Sequence, residues 1–513
     1  MFDFNTAQAM KQWFRRAICA LCVCILIQES SAQEVKFGKV AEEDIRQTVY
    51  EQDKEAGAVM LHNEGRVSLE VINGDILATY TIHRRIKILS ESGFDWAEIS
   101  LFYVKGGNSY TVSNLKGNTH YIDDAGAVAI AKLDKKTVFD EDVSKRTGKK
   151  TFTMPQVKVG AVIEYEYVIQ TSNWIGLEDF YFQHSIPCKY SKFVARLPTD
   201  QFDYLVLARG YFPIAEHLTE PFTSATNTGG SIITLSGTQH TYIAKDVPAL
   251  KDEPYVTTRE DIVLKIGHQL RYVKIGNMTR QDYMTDWANL NKTLLEGEAF
   301  GLRFQGAAPK NILKEEFPLL EAEKDSVKRI SMIYELVQKR VKWNERFDYY
   351  ADPIADIWKA HEGSSGDINL LLTSLLKEAG IQASAVITST RKHGSVQKFY
   401  PFMDQFNHVI CEAVAGKDTF LLDATDPYAS IHMLPQYDLN YTGFRVSEEN
   451  SGFITILPKH RSEDKIYARF TLNPDQTLTG SISHTLGGYA SASAREELEE
   501  YEDKHKEYFE EEI

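Results

Sequence analysis

From Ile76 to Ile88 the chain alternates. Ile76, Ala78, Tyr80, Ile82, Ile86 and Ile88 stand against Thr79, Thr81, His83, Arg85 and Lys87. A period of two predicts one long half-buried strand, with Arg84 as the polar interruption on its apolar face. Ile163, Tyr165, Tyr167 and Ile169 alternate with Glu164 and Glu166 in the same way. Shorter strands are expected near residues 99–104, 110–115, 192–197, 204–208 and 232–235. Between them lie Gly106-Gly107, Asp123-Asp124, Gly229-Gly230 and several prolines. Short strands at this spacing predict one or two antiparallel sandwiches.

Past a proline-punctuated connector at residues 245–258 and a strand at 262–272, the period changes. Helices are expected at 282–295 and 326–341, the second carrying Val327, Ile330, Ile333, Tyr334, Val337 and Val341 on one face. A short helix at 354–361 leads into Gly363-Ser364-Ser365-Gly366-Asp367. There the clearest helix opens, with Ile368, Leu371, Leu372, Leu375, Leu376 and Ala379 in one apolar stripe. Gly380 is placed to stop it, and Asp367 lies in the first turn, where the helix dipole favours negative charge. After Pro435, strands are expected at 453–457, 466–472 and 478–484, followed by a helix from Ala492.

The stretch from Gly363 to Pro427 holds the candidate chemistry. A strand at 407–414 carries His408, and one at 419–423 ends on Asp423. If Ala415-Gly416-Lys417-Asp418 is the turn, Val414 faces Thr419 and Ile410 faces Asp423. His408 and Asp423 then become diagonal neighbours on one face, roughly 7–8 Å apart at the backbone. A one-residue slip would separate them. Ser364 and Ser365 stand where a helix cap is needed, and capping alone is one sufficient reading of both.

The Gly363-x-Ser365-x-Asp367 turn opening an apolar helix, the FNHVI strand and the LLDATDP strand together resemble the core of the transglutaminase-like superfamily, whose fold is papain-like. The likeness runs roughly from Ser326 to Pro435. It implies Ser365 in the nucleophile position, His408 as base and Asp423 as orienter. The family has cysteine where this chain has Ser365. Two passages further back, FTMPQVKVGAVIEYEYVIQT and EDFYFQHSIPCKYSKF, resemble an uncharacterised envelope domain found ahead of bacterial transglutaminase-like domains, over roughly Glu34 to Ala249.

The serine limits the chemistry. A helix N-terminus offers at most about 2 kcal/mol, roughly 1.5 pKa units. That suffices to activate a thiol of pKa near ~8.5 but not a hydroxyl several units less acidic. Ser365 would need His408 as a true general base and an oxyanion hole as well. The leading expectation is therefore a catalytically degenerate core that binds a protein, peptide or wall-derived ligand. The alternatives are a serine-dependent acyl hydrolase or amidase using Ser365, His408 and Asp423, and a purely structural envelope protein. An open groove above Ser365 favours the first two and a plugged one the third.

Composition narrows the setting. Among 513 residues, 43% are hydrophobic, with 26 Tyr and 26 Phe, enough for several cores. Lys11, Arg15 and Arg16 precede the apolar run 17–27 and Ser30-Ser31-Ala32, the pattern of a secretory signal cleaved after Ala32. Removing residues 1–32 takes away three basic and two acidic side chains and leaves a net charge of −16. That balance argues against nucleic acid or an anionic membrane as partner. No later run is long enough to span a bilayer. Cys188 and Cys411 fall in different regions, so no structural disulfide is expected, and Cys411 reads as a small buried hydrophobe. No spacing of metal ligands and no phosphate loop is present, so neither cofactor nor metal is expected.

The expected class is α+β. Residues 1–32 form the leader, 33–250 the antiparallel β-sandwich region, and 251–325 a connector. Residues 326–435 form the transglutaminase-like core and 436–513 a C-terminal β segment. That segment ends in an acidic helix with ten carboxylates between Glu496 and Glu512. The predicted location is the periplasm or cell envelope of a bacterium.

Overall fold

The computed structural model describes residues 35–72, 75–105, 110–143, 147–227, 232–274, 279–283 and 286–501. The expected leader and the acidic stretch beyond Tyr501 lie outside them. The class is α+β, as the alternating and helical patterns imply.

The first half is a β-sandwich. Among the described residues its larger sheet has eight strands. Their spatial order is Glu216–Asn227, Ile232–Val247, Cys188–Leu197, Ala58–Ile72, Asp75–Ile88, Val162–Thr171, Thr111–Ile122 and Val128–Lys132. Within this sheet the ladder between Ala58–Ile72 and Cys188–Leu197 is parallel. A second sheet joins Phe202–Arg209, Lys265–Val273 and Gln281–Asp282, with Gly176–Tyr181 also paired to Lys265–Val273. The core between the layers is aromatic. The Phe180 ring stacks on Phe193 at 4.8 Å and meets Phe182 edge-on at 4.9 Å.

The long strand Asp75–Ile88 departs from its expected half-burial, because its polar face is buried too. Residues 36–46, including the short helix Glu42–Arg46, lie across that face and satisfy it. Arg85 donates to the carbonyls of Lys36 and Lys39, and Lys87 to those of Ile45 and Gly160. Glu164 is the hub, accepting from Gly38 N (2.6 Å), His83 Nε2 (2.9 Å) and Arg85. Alternation reports polarity, not whether a polar face finds partners.

The second half packs helices against one face of a five-stranded antiparallel sheet. Its spatial order is Asp418–Leu422, His408–Ala415, Gln382–Thr388, Tyr441–Val446 and Gly452–Ile456. This sheet continues past Pro435, since the last two strands close its edge. The helix expected to begin at 282 instead runs Trp287–Glu296, capped by Asp286, because Gln281–Asp282 is drawn into the second sheet of the sandwich. The helices Ser326–Arg340 and Ile354–Ala360 fall where their apolar stripes put them. Between helices and sheet lies the helix Ser365–Glu378, buried from Ser365 through Leu376. Gly380, at φ +73°, ends it in the left-handed conformation that favours glycine. The hairpin Glu463–Leu472/Leu478–Gly487 and the helix Tyr489–Glu500 follow. No described helix is long and apolar enough to cross a membrane.

Candidate functional site

The buried helix starts in a reciprocal cap. Ser364 Oγ accepts from Asp367 N, and Asp367 Oδ2 accepts from Ser364 N (2.8 Å). The second carboxylate oxygen of Asp367 accepts from Asp352 N at 2.7 Å. Ser364, not Ser365, is therefore the cap.

Ser365 is engaged elsewhere. Its Oγ donates to the Asp348 carbonyl (2.9 Å) and accepts from Asp348 N (2.9 Å), while its own N–H bonds the Arg346 carbonyl (3.0 Å). The segment 346–350 is thus laid directly over the helix start. Gly366 allows this approach, since a Cβ there would collide with the Tyr350 carbonyl. Ser365 is wholly buried.

The β-strand register follows the expected turn. Val414 pairs with Thr419 and Cys411 with Leu422. His408 Nε2 lies 3.2 Å from Asp423 Oδ2. Asn369, one turn into the helix, holds this pair. Its Nδ2 donates to Asp423 Oδ1 (2.6 Å) and to the Val409 carbonyl, and its Oδ1 accepts from Ala424 N. Thr425 gives Asp423 Oδ1 two more hydrogen bonds. Tyr334, from the helix Ser326–Arg340, donates to the Asp423 carbonyl at 2.7 Å.

A second carboxylate joins them. Asp438 Oδ1 is 3.0 Å from His408 Nε2, so one ring nitrogen faces two acids. Asp438 follows Pro435 in a short turn, and nothing local in the sequence marked it. Asn369 did leave a signal, a polar residue in a helix apolar on every side. All three charged groups are fully buried or nearly so. Burial pushes the imidazole down, but the charges of Asp438 and Asp423 outweigh it and raise His408 to about 10. Burial, then the charge of Asp423, pushes Asp438 up to about 7, whereas His408 and the hydrogen bonds to Asp423 hold that acid below its ordinary value. His408 Nδ1 has no hydrogen-bond partner among the described residues.

Aromatic rings close the site. Phe347 meets the His408 imidazole edge-on at 5.3 Å and Tyr437 does so at 6.1 Å, while Phe347 also packs on Trp343 and Tyr437. Outside this wall lies a cavity of about 630 Å³, lined by Trp343, Phe347, Tyr437, Arg391 and Lys392 and flanked by the helix Tyr489–Glu500. Glu499 of that helix accepts from the Tyr428 hydroxyl. Neither Ser365 nor His408 lines this cavity. Tyr349 packs on the core, and Tyr350 is partly exposed. Cys411 is a free, buried thiol pushed up to about 12 by desolvation.

A buried helix whose N-terminus meets a sheet bearing histidine and aspartate defines a papain-like, transglutaminase-like fold. One solved structure agrees at the level of the fold. The chain shares its fold with a crystal structure described as a "putative protease" from Parabacteroides distasonis. The two are 12% identical with a TM-score of 0.56, over 78% of this chain and 72% of that one. A structure described as a "putative cysteine protease" from Cytophaga hutchinsonii is also similar at 12% identity, covering 74% of this chain and 91% of that one, with a TM-score of 0.22. The family model of a domain of unknown function with a solved structure, DUF3857, matches residues 75–220, within the sandwich. No curated protein matches the chain.

Proposed function

We propose that this chain is an exported, non-catalytic member of the transglutaminase-like fold that binds a protein, peptide or wall-derived ligand. One observation carries the reading. The Ser365 hydroxyl gives its proton to the Asp348 carbonyl and takes a hydrogen bond from the Asp348 amide. A serine nucleophile must give that proton to a base within hydrogen-bond reach, roughly 2.6–3.2 Å. Here the proton is directed at a main-chain carbonyl, under a segment that excludes substrate. The aromatic cavity outside the wall, with Arg391 and Lys392 at its rim, is of a size that takes a ligand. Export rests on the basic, apolar and small-residue order of residues 11–32.

The rival is a serine-dependent acyl hydrolase. It has in its favour the His408–Asp423 pair, and it requires Ser365 to leave Asp348. A fluorophosphonate probe on the purified chain separates the two. The binding reading expects no labelled Ser365 and no acyl ester or peptide hydrolysis. Labelling that Ser365→Ala abolishes overturns it. Mass spectrometry of the exported chain should find Gln33 at its N-terminus, and an intact Met1 would remove export from the proposal.

A further inference from the structure

We propose that His408, Asp423 and Asp438 form a buried site for one divalent transition-metal cation. Their ligand atoms come from three separate parts of the second half: a strand, the segment after its neighbouring strand, and the turn after Pro435. One atom from each lies within 4.8 Å of the other two. The two distances from His408 Nε2 are 3.2 Å to Asp423 Oδ2 and 3.0 Å to Asp438 Oδ1. Donors held about 2.1 Å from one ion, at angles between tetrahedral and octahedral, stand about 3.0–3.4 Å apart.

A second observation points the same way. Asp438 is 0% exposed, and its Oδ2 has no hydrogen bond to any described residue. Asp438 Oδ1 meets His408 Nε2 at 3.0 Å as a buried ion pair, which leaves Oδ2 as the unpartnered atom. A buried carboxylate oxygen without a partner is costly, and native folds rarely keep one without an ion or a water. Asp423 is different, since Asn369 and Thr425 satisfy its Oδ1 and leave Oδ2 turned to the cluster.

A dication on neutral His408 and two carboxylates brings the net charge to zero and uses every free donor. Asp438 can ligate through both oxygens, giving four donor atoms. One imidazole with carboxylates suits zinc, manganese or iron better than calcium or magnesium, which prefer oxygen alone. For one ligand the second shell is already built, because Asn369 and Thr425 fix the Asp423 carboxylate as outer partners fix ligands at metal sites. The ion's role would be to tie the Pro435 turn to the sheet. It would act independently of whether Ser365 reacts.

The probe is zinc, with cobalt as its spectroscopic stand-in. The full chain is refolded from denaturant with either ion, because the site is closed in the folded state, and then gel-filtered and analysed for metal. The expected result is one zinc per chain, visible d–d bands for cobalt, and an X-ray absorption shell of nitrogen and oxygen without sulfur. Asp438→Asn should weaken zinc at least about 100-fold, above the 10–100-fold cost of losing an outer partner. The surface pair His217 and His240, whose rings stack at 5.2 Å, is the competing place for stray zinc. His217→Gln with His240→Gln should leave the stoichiometry unchanged. A chain without metal after refolding, or zinc lost with the surface pair and kept by Asp438→Asn, overturns the site. If Asp438→Asn does not fold, the cobalt spectrum of the unaltered chain decides: bands typical of nitrogen and oxygen ligation support the site, and their absence refutes it. A fluorophosphonate result at Ser365 bears on the binding reading alone.

Discussion

At Ser365, a hydroxyl is held by two main-chain hydrogen bonds to one residue. A thiol is a weak donor and a weak acceptor, so serine is the better clamp on the Asp348 peptide. The residue therefore has a structural task that needs no chemistry. Ser365→Ala leaves a partly buried amide and carbonyl of Asp348 without their side-chain partner. The expected cost is about 1–3 kcal/mol, the usual penalty for unpaired buried groups. Urea denaturation checks it, and an unchanged midpoint would mean that the clamp carries no stability. Asp438 illustrates the opposite case, a residue with no local mark that becomes conspicuous only through its burial and its distance to His408.

At the scale of elements, the helix Ser365–Glu378 is the axis of the second half. It is covered by helices on one side and by the five-stranded sheet on the other, and Leu370, Leu371, Leu372, Leu375 and Leu376 are all fully buried. That exceeds the single stripe its periodicity implied, and it explains why Asn369 and Thr373 can lie inward, each hydrogen-bonded. Leu372→Ala or Leu375→Ala should cost about 2–5 kcal/mol, the transfer loss plus the cavity left behind. Melting curves test this. Two variants that melt with the parent would remove the helix from the core. The segment 346–350 acts as a plug in this frame: its backbone closes the helix start and Phe347 covers the imidazole. A plugged site above Ser365 favours the purely structural reading over both hydrolysis and ligand binding in that cleft. The aromatic cavity outside it keeps binding in view.

At the scale of the whole molecule, the two halves meet through the loop before His408. Asp261, just before the sandwich strand Lys265–Val273, accepts from Ser395 N (2.7 Å) and Ser395 Oγ, and Thr258 donates to the Lys392 carbonyl. Glu164 is fully buried in the sandwich. Desolvation acts to raise it, but His120, His83 and Arg85 prevail and hold it well below the usual carboxylate range. A depressed folded pKa means the unfolded chain binds the proton more readily. The stability Glu164 contributes is therefore present above its unfolded value of about 4.3 and is lost as pH falls below that toward the folded value. Thermal unfolding between pH 6 and pH 3 should show the sandwich weakening on the acid side, and Glu164→Gln should flatten that slope while lowering stability at pH 6. A slope that survives the substitution would assign the acid sensitivity elsewhere.

Sequence alone determined much of the architecture. Alternation located Asp75–Ile88 and Val162–Thr171 but not the equally long Ala58–Ile72 or Glu216–Asn227, helical period located the central helix, and a turn at Ala415-Gly416-Lys417-Asp418 gave the register that brings His408 beside Asp423. These are local properties: side-chain direction follows from backbone period, and a two-strand register follows from loop length. What neighbours what across the fold was decided only in three dimensions. The polar face of Asp75–Ile88 is buried because residues 36–46 happen to cover it. The core sheet takes in Tyr441–Val446 and Gly452–Ile456, strands whose sequences announce their conformation but not their partner. Ser365 turns to Asp348 because the segment 346–350 crosses the helix start, and Asp438 reaches His408 because the turn after Pro435 folds back beneath the sheet. Such contacts depend on how whole elements pack, and no periodicity within one element encodes them.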